Sequence, residues 1–504
     1  MKHFLAALLA SCLLAGCASV SVHGNASLAE RIDAFVAQPR FAHAHFGISV
    51  VSLDTGRTLY AHDADKLFVP ASNAKLYTAA LALSNLADAQ IGTTLYAATT
   101  AQADGTSNGD LVLYGGGDPS LGDAKVSPDW ADRLAQALAD QGVRRVHGDL
   151  VADSTYFQGP PLGSGWEADD LQAGYGAPAS ALSVQENVAR VQVTHADDRC
   201  CAVAIQPDDA GLRVVNLTRD GDDGRDTFVL YRPPGSDILY ASGSLPAGVQ
   251  TRTFTVSVPD PALFAGNLLR DALARHGIAL DGQVRALYWP HATWEMVHEA
   301  GMHAIAQVPA PPLPDLIRHM LKDSDNLYAQ VLLQQVGVRT AYTRTCADRA
   351  EPPMTSEDWG LCAMRAMLAR IGIPNDDATF EEGSGLSRKD LVTPAATTRL
   401  LAWVARQPFA NVFETALPVA GVDGTLEHRF VGTPAANDLR AKTGTLTHVY
   451  ALSGYVTDAR GEHLAFSLML DHYQRPADAL GRNIPPSPTA DLDAIATMIA
   501  GAVR

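Results

Sequence analysis

Phe68-Val69-Pro70-Ala71-Ser72-Asn73-Ala74-Lys75-Leu76-Tyr77-Thr78-Ala79-Ala80-Leu81-Ala82-Leu83-Ser84-Asn85-Leu86 is almost wholly apolar, and Lys75 is its lone charge. The stretch reads as a helix from Ser72 to Leu86, and a helix apolar on all sides is a central, buried one. Burying Lys75 on such a helix calls for a partner, yet no acidic residue lies on it. Ser72 and Lys75, three residues apart, share one helical face. A serine hydroxyl is a poor nucleophile without a base in hydrogen-bond reach, and a lysine can be that base once burial lowers its pKa. The helix start adds positive potential where an oxyanion would form. Ser72 is thus the candidate nucleophile and Lys75 the candidate base.

Two distant stretches extend this pair. Ser324-Asp325-Asn326 falls in the break between helices expected near Leu316 to Leu321 and Leu327 to Val336. By itself it would be a simple N-cap of the second helix. In a site, Ser324 could pass a proton to a leaving amine, and Asn326 could hold both a substrate amide and Lys75. Lys442-Thr443-Gly444 lies on an expected strand near the C-terminus, where a turn is the plainer alternative. There Lys442 would be a second cation lowering the pKa of Lys75. Lys442 and Thr443 could bind a terminal carboxylate, Gly444 would leave room for substrate, and the Thr445 N–H would complete an oxyanion hole. A site for a free carboxylate points to exopeptidase action.

The organisation around these stretches predicts an α+β fold. Ser27 caps a helix from Leu28 to Val36, and Phe46 to Leu53 and Arg57 to Ala61 form a hairpin around Asp54-Thr55-Gly56. Between about residue 88 and residue 290 many short strands alternate with turns rich in Gly, Asp and Pro, with helices near Trp130 to Ala139 and Ala262 to Arg275. Pro309-Ala310-Pro311-Pro312-Leu313-Pro314 reads as a rigid connector. Further helices and three strands, at about Leu439 to Lys442, Val449 to Val456 and Leu464 to Leu470, follow before a last helix from Ala490. The expectation is an antiparallel sheet built from both chain ends and flanked by helices (25–87 plus 290–504), with a β-rich insertion at 88–289 read as two subdomains.

The 504 residues exceed what one core needs. With 55 acidic against 38 basic residues and a net charge of −17, the chain is a poor polyanion binder, which argues against nucleic acid. The first residues, a basic start and an apolar run from Phe4 to Ala15, read as a secretory signal, too short to span a bilayer. An ordinary signal cut among Ala18, Ser19 and Val20 is the alternative to lipidation at Cys17. In an oxidising compartment spare cysteines pair. Cys346 and Cys362 bracket a segment rich in Pro and charge and are expected to staple it. Adjacent Cys200 and Cys201 are either a strained bridge or buried thiols. The cysteine spacings fit no zinc site.

Taken in order, Ser72-x-x-Lys75, Ser324-Asp325-Asn326 and Lys442-Thr443-Gly444 resemble the signature of serine penicillin-recognising enzymes. The 252 residues between Ser72 and Ser324 are far more than a class A β-lactamase places there. That gap resembles the low-molecular-mass, class C penicillin-binding proteins, the D-alanyl-D-alanine carboxypeptidase/endopeptidase or penicillin-binding protein 4 type. Tyr114 to Leu121, Asp153 to Phe157, Tyr175 to Leu182, Gly383 to Arg388, Leu417 to Gly421, Asp423 to Leu426 and Ala451 to Tyr455 are similar to that family's segments. Glu382 stands where the family usually has Asp, and Arg344 to Asp358 looks like an insertion.

The resemblance implies a penicillin-recognising transpeptidase/β-lactamase-like domain and a cofactor-free and metal-free acyl-enzyme mechanism. Its substrates would be peptidoglycan stem peptides ending in D-Ala-D-Ala, with β-lactam antibiotics as acylating inhibitors. It also implies that Asp153 and Arg388 bind the stem-peptide side chain. Leu14-Ala15-Gly16-Cys17 resembles the lipobox of bacterial lipoproteins, which implies a periplasmic protein attached to a membrane by lipid at Cys17. Ala18 resembles the outer-membrane pattern. A β-lactamase and a catalytically vestigial wall-binding lipoprotein remain as alternatives.

Overall fold

The computed structural model describes residues 26–196, 199–208, 210–221, 225–246, 248–289, 301–341, 354–475 and 486–502. The signal segment, Cys17 and Cys346 lie outside them.

Both chain ends meet in one sheet. Its five strands run Arg440–Leu446, Val449–Thr457, His463–Asp471, His45–Ser52 and Thr58–His62, each antiparallel to its neighbour. The inner strands are near-continuous apolar runs, the pattern of strands covered on both faces. On one face, Ala451, Ala465 and Met469 join a core with the helices Ala74–Asn85, Leu313–Lys322, Asn326–Thr340 and Pro394–Val404. On the other, Ile48, Val50, Phe466 and Leu468 pack with the helices Leu28–Val36 and Pro488–Ala500. The Ala74–Asn85 helix is the hub, for every residue from Ala74 to Leu83 is buried. Each fully buried leucine there contributes about 1.5–3 kcal/mol, so the helix is held far more firmly by packing than by its own propensity.

The edge strand Arg440–Leu446 has a full strand on one side and, on the other, only a single antiparallel bridge, Val419 to Arg440. Its other side approaches the turn before the nucleophile. A Cβ on Gly444 would sit 2.7 Å from the Pro70 carbonyl oxygen, so the room this glycine leaves is taken by backbone rather than kept for substrate.

The insertion differs from expectation in two respects. It extends beyond residue 289, because His303–Pro309 pairs antiparallel with Gly92–Ala97 at the edge of a second five-stranded sheet. Most of its buried apolar side chains also belong to one core, from Leu95 through Cys200 and Leu239 to Val308, that runs through both expected subdomains, while Val112, Tyr114 and Val151 form a small cluster of their own. Two helices, Trp130–Asp140 and Pro261–Arg275, and three small sheets share that core. The proline-rich connector serves as read, with Pro309 ending a strand and Pro312 preceding the next helix. Cys200 and Cys201 are disulfide-bonded to each other and buried. Cys362 is disulfide-bonded too; Cys346, its expected partner, is outside the described residues. Among the described residues no helix is long and apolar enough to cross a membrane.

Candidate active site

The nucleophile sits on a strained step. Ala71 has φ +46°, in the left-handed region that a residue with a Cβ enters only when its surroundings enforce it. A short 3-10 turn, Ala71–Asn73, then feeds the long helix. This puts half-buried Ser72 at the mouth of a cleft of about 420 Å³ and aims Lys75 inward, fully buried.

Lys75 Nζ has three oxygen partners: Ser72 Oγ at 3.0 Å, Asn326 Oδ1 at 2.6 Å and the Ser384 carbonyl at 2.7 Å. An ammonium has three protons, so the site satisfies the charged form completely. Burial lowers the Lys75 pKa to about 8, opposed first by the carboxylate of Glu382 and then by that of Asp325. These come from other parts of the chain, which is why inspection of the helix alone missed them.

Ser324-Asp325-Asn326 lies where expected, in a tight break between two helices. Ser324 takes φ +63°, and Asp325 caps the following helix by accepting from Tyr328 N–H at 2.8 Å. Capping and function thus coexist, because different residues perform them. Burial raises the Asp325 carboxyl to about 6. Asn326 Nδ2 donates to the Tyr175 carbonyl at 2.8 Å, tying the catalytic helix to the insertion.

Lys442 is also fully buried, and its Nζ reaches Ser324 Oγ at 2.8 Å and the Thr443 carbonyl at 2.9 Å. Burial first, and then the charge of Lys75, push its pKa well below the usual lysine range. Lys442 therefore points at Ser324 rather than lining the cleft. Thr443 bonds Thr425 Oγ1 at 2.8 Å. The strand contributes Thr445 and Leu446 to the cleft wall instead, and the turn after it contributes Thr447.

The two residues expected to bind a peptide side chain part company. Arg388 lines the cleft, donates to the Thr447 carbonyl at 3.2 Å and pairs with Glu167 at 3.6 Å. Asp153 does not line it: it ends a strand, 1% exposed, and accepts from Thr155 N–H at 2.8 Å. Glu167, Asp170 and Tyr175 supply the insertion's side of the cleft. The signal available for Glu167 and Asp170 was the acidic run Glu167-Ala168-Asp169-Asp170 within an insertion read as short strands and turns, and Tyr175 opens the family-like segment Tyr175 to Leu182.

Among the described residues, Glu186, His319 and Asp325 could offer a metal three ligand atoms within 4.8 Å of one another. His319 is already paired with Glu186 at 3.3 Å and Asp323 at 3.1 Å. A larger cavity of about 920 Å³ lies at the other end of the sheet, lined by Asp54, Arg399, Glu414 and Arg440 among others, and holds none of the motif residues.

A serine and a buried lysine one helical turn apart, faced by Ser-Asp-Asn and by Lys-Thr-Gly on an edge strand, define a penicillin-recognising serine hydrolase. Residues 28–485 match the model of the D-Ala-D-Ala carboxypeptidase 3 (S13) family, and the chain belongs to that family. It is 35% identical over 487 residues to a D-alanyl-D-alanine carboxypeptidase of Actinomadura sp. (strain R39), covering 94% of this chain and 84% of the relative. A D-alanyl-D-alanine carboxypeptidase DacB of Haemophilus influenzae is 26% identical, over 85% of this chain and 86% of that one. The crystal structure of penicillin binding protein 4 from Haemophilus influenzae shares the fold, with a TM-score of 0.76, 24% identity, and coverage of 91% of this chain and 95% of that one. The protein is thus a serine hydrolase of the D-Ala-D-Ala carboxypeptidase family, with the fold of penicillin binding protein 4.

Proposed function

We propose that the protein removes the terminal D-alanine from peptidoglycan stem peptides, and opens D-alanyl cross-links, through an acyl-enzyme on Ser72. The observation that carries this reading is the set of partners around Lys75 Nζ. Asn326 Oδ1 and the Ser384 carbonyl are acceptors only. When Lys75 is neutral its two N–H bonds satisfy those oxygens, and its lone pair is left facing Ser72. Lys75 then takes the hydroxyl proton as Ser72 Oγ bonds the carbonyl carbon of the penultimate D-alanine. The Ser72 and Thr445 N–H groups receive the oxyanion. The C–N bond breaks as the proton that Lys75 took passes by way of Ser324, backed by Lys442, to the leaving amine, which leaves Ser324 a hydroxyl and returns Lys75 to its neutral form. Water, deprotonated in turn by Lys75, releases the acyl group.

A penicillin would acylate the same hydroxyl and persist. The cleft joins Glu167 and Asp170 to Arg388, so it offers both charges to a zwitterionic peptide side chain. The lipobox-like Cys17 supports a periplasmic protein anchored by lipid, with Ala18 favouring the outer membrane.

The test is release of D-alanine from a pentapeptide, together with labelling by a fluorescent penicillin. Intact enzyme should do both, and Ser72→Ala neither. Release by the Ser72→Ala variant would overturn the assignment. Rapid loss of the label would favour a β-lactamase, and cleavage of cross-linked dimers would establish the endopeptidase arm.

A further inference from the structure

The loop that holds Lys75 is organised around a carboxylate that the reaction itself does not use. Glu382 is wholly buried. It accepts four backbone N–H groups: Ser384 at 2.6 Å, Gly385 at 2.5 Å, Leu386 at 2.9 Å and Ser387 at 3.3 Å. These bonds wrap residues 383–387 around the carboxylate and present the Ser384 carbonyl to Lys75 Nζ. The wrapped loop also lies hard against the nucleophile's turn. Gly385 has φ +82°, and a Cβ there would fall 1.9 Å from the Ala71 carbonyl oxygen. Thr78 Oγ1 donates to the Gly383 carbonyl at 2.7 Å and Gly383 N–H to Gln330 Oε1 at 2.9 Å, pinning the loop to two helices.

A second carboxyl group faces the first. Asp390 is wholly buried; its Oδ1 accepts from Glu381 N–H at 2.7 Å, and its Oδ2 is buried with no hydrogen-bond partner. Its side chain meets that of Glu382. Two carboxylates in buried contact cannot both ionise. A shared proton converts the unpartnered oxygen into a donor. Four N–H donors keep the charge on Glu382, and one leaves the proton on Asp390.

Resting on the Ser72–Lys75 reading, we propose that Glu382 and Asp390 act as a carboxylate–carboxylic acid pair that positions Lys75 and sets the charge it feels. Burial and the nearby Glu382 charge hold the Asp390 carboxyl well above the usual carboxylate range. One peptide unit stands between Glu382 and Lys75, so the anion steadies the lysine without locking it in a direct ion pair. The other ionisable groups around the two are Asp325 and Lys442 near Lys75, and Glu381 and Glu357 near the pair.

The experiment is the rate of acylation by a fluorescent penicillin against pH, on the full chain. D390N keeps an N–H donor toward Glu382 and mimics the protonated acid, so its limb should stay in place. In E382Q alone Asp390 is free to ionise, so the charge is removed by combining E382Q with D390N, and the limb of that double variant should move down by about one pH unit, with acylation above it slowed about tenfold. An unmoved limb in the double variant overturns the proposal, as does a D390N limb shifted toward lower pH, because Asp390 would then have been charged. Should the double variant fail to fold, as judged by its melting curve, D390N alone decides by the same criterion. Absence of any label on Ser72 in the unaltered enzyme would instead sink the Ser–Lys reading.

Discussion

The site contains two lysines that are alike by most measures and opposite in one. Lys75 and Lys442 are both wholly buried, and each bonds a motif serine, Ser72 at 3.0 Å and Ser324 at 2.8 Å. Carboxylates from Glu382 and Asp325 raise the proton affinity of Lys75 against burial, and Lys75 still ends near 8. Lys442 has no such support; burial and the Lys75 charge both act against its proton. The same residue type at the same depth thus has its charge supported in one place and opposed in the other. What separates them is the placement of distant carboxylates, not local sequence.

The largest expected effect sets the two apart directly. Lys75→Met should reduce penicillin acylation by about 10³-fold or more, the scale of losing a general base. Lys442→Met should reduce it by about 10²-fold or less, with D-alanine release falling further because the leaving amine loses its proton relay. Equal losses in acylation would erase the distinction.

The pH profile sharpens it. The base must be neutral, so kcat/KM should climb as pH rises through about 8 and fall about tenfold per unit below that. A profile flat from mildly acidic to mildly basic pH would mean that Lys75 is not the group that titrates.

A smaller effect concerns the strand that carries Lys442. Gly444→Ala puts a methyl 2.7 Å from the Pro70 carbonyl oxygen and should cost about 1–3 kcal/mol in unfolding measurements, with reduced acylation. A silent change would mean that the strand can shift away freely.

The smallest is Asp325→Asn. The amide oxygen retains the helix cap, so stability should move by less than about 0.5 kcal/mol, while the acid limb slides slightly lower through loss of one supporting charge. An upward slide would reverse the sign assigned to Asp325.

Much of this was legible along the chain. The apolar helix around Lys75 and the near-continuous apolar strands of both termini are periodic patterns, and such patterns follow from which faces must leave water. The Ser324 break was legible as well, since helix ends carry their own capping chemistry. The boundary at His303–Pro309 was not, because a strand at a sheet edge is specified by its partner, Gly92–Ala97, from far away. Asp153 was misplaced for a related reason: its neighbourhood is similar to a family segment, but its side chain turns into the fold.

By itself, then, the chain determined which residues are the candidates for reaction and on what kind of framework they stand, because the Ser72–Lys75 spacing and the burial of their helix are encoded within one turn of Ser72. Only the tertiary structure decided which lysine keeps its proton, which residues wall the cleft and what holds the Ser384 carbonyl in place. Electrostatic energies depend on distances through space between groups far apart in the chain, and in a water-poor interior those distances outweigh residue identity.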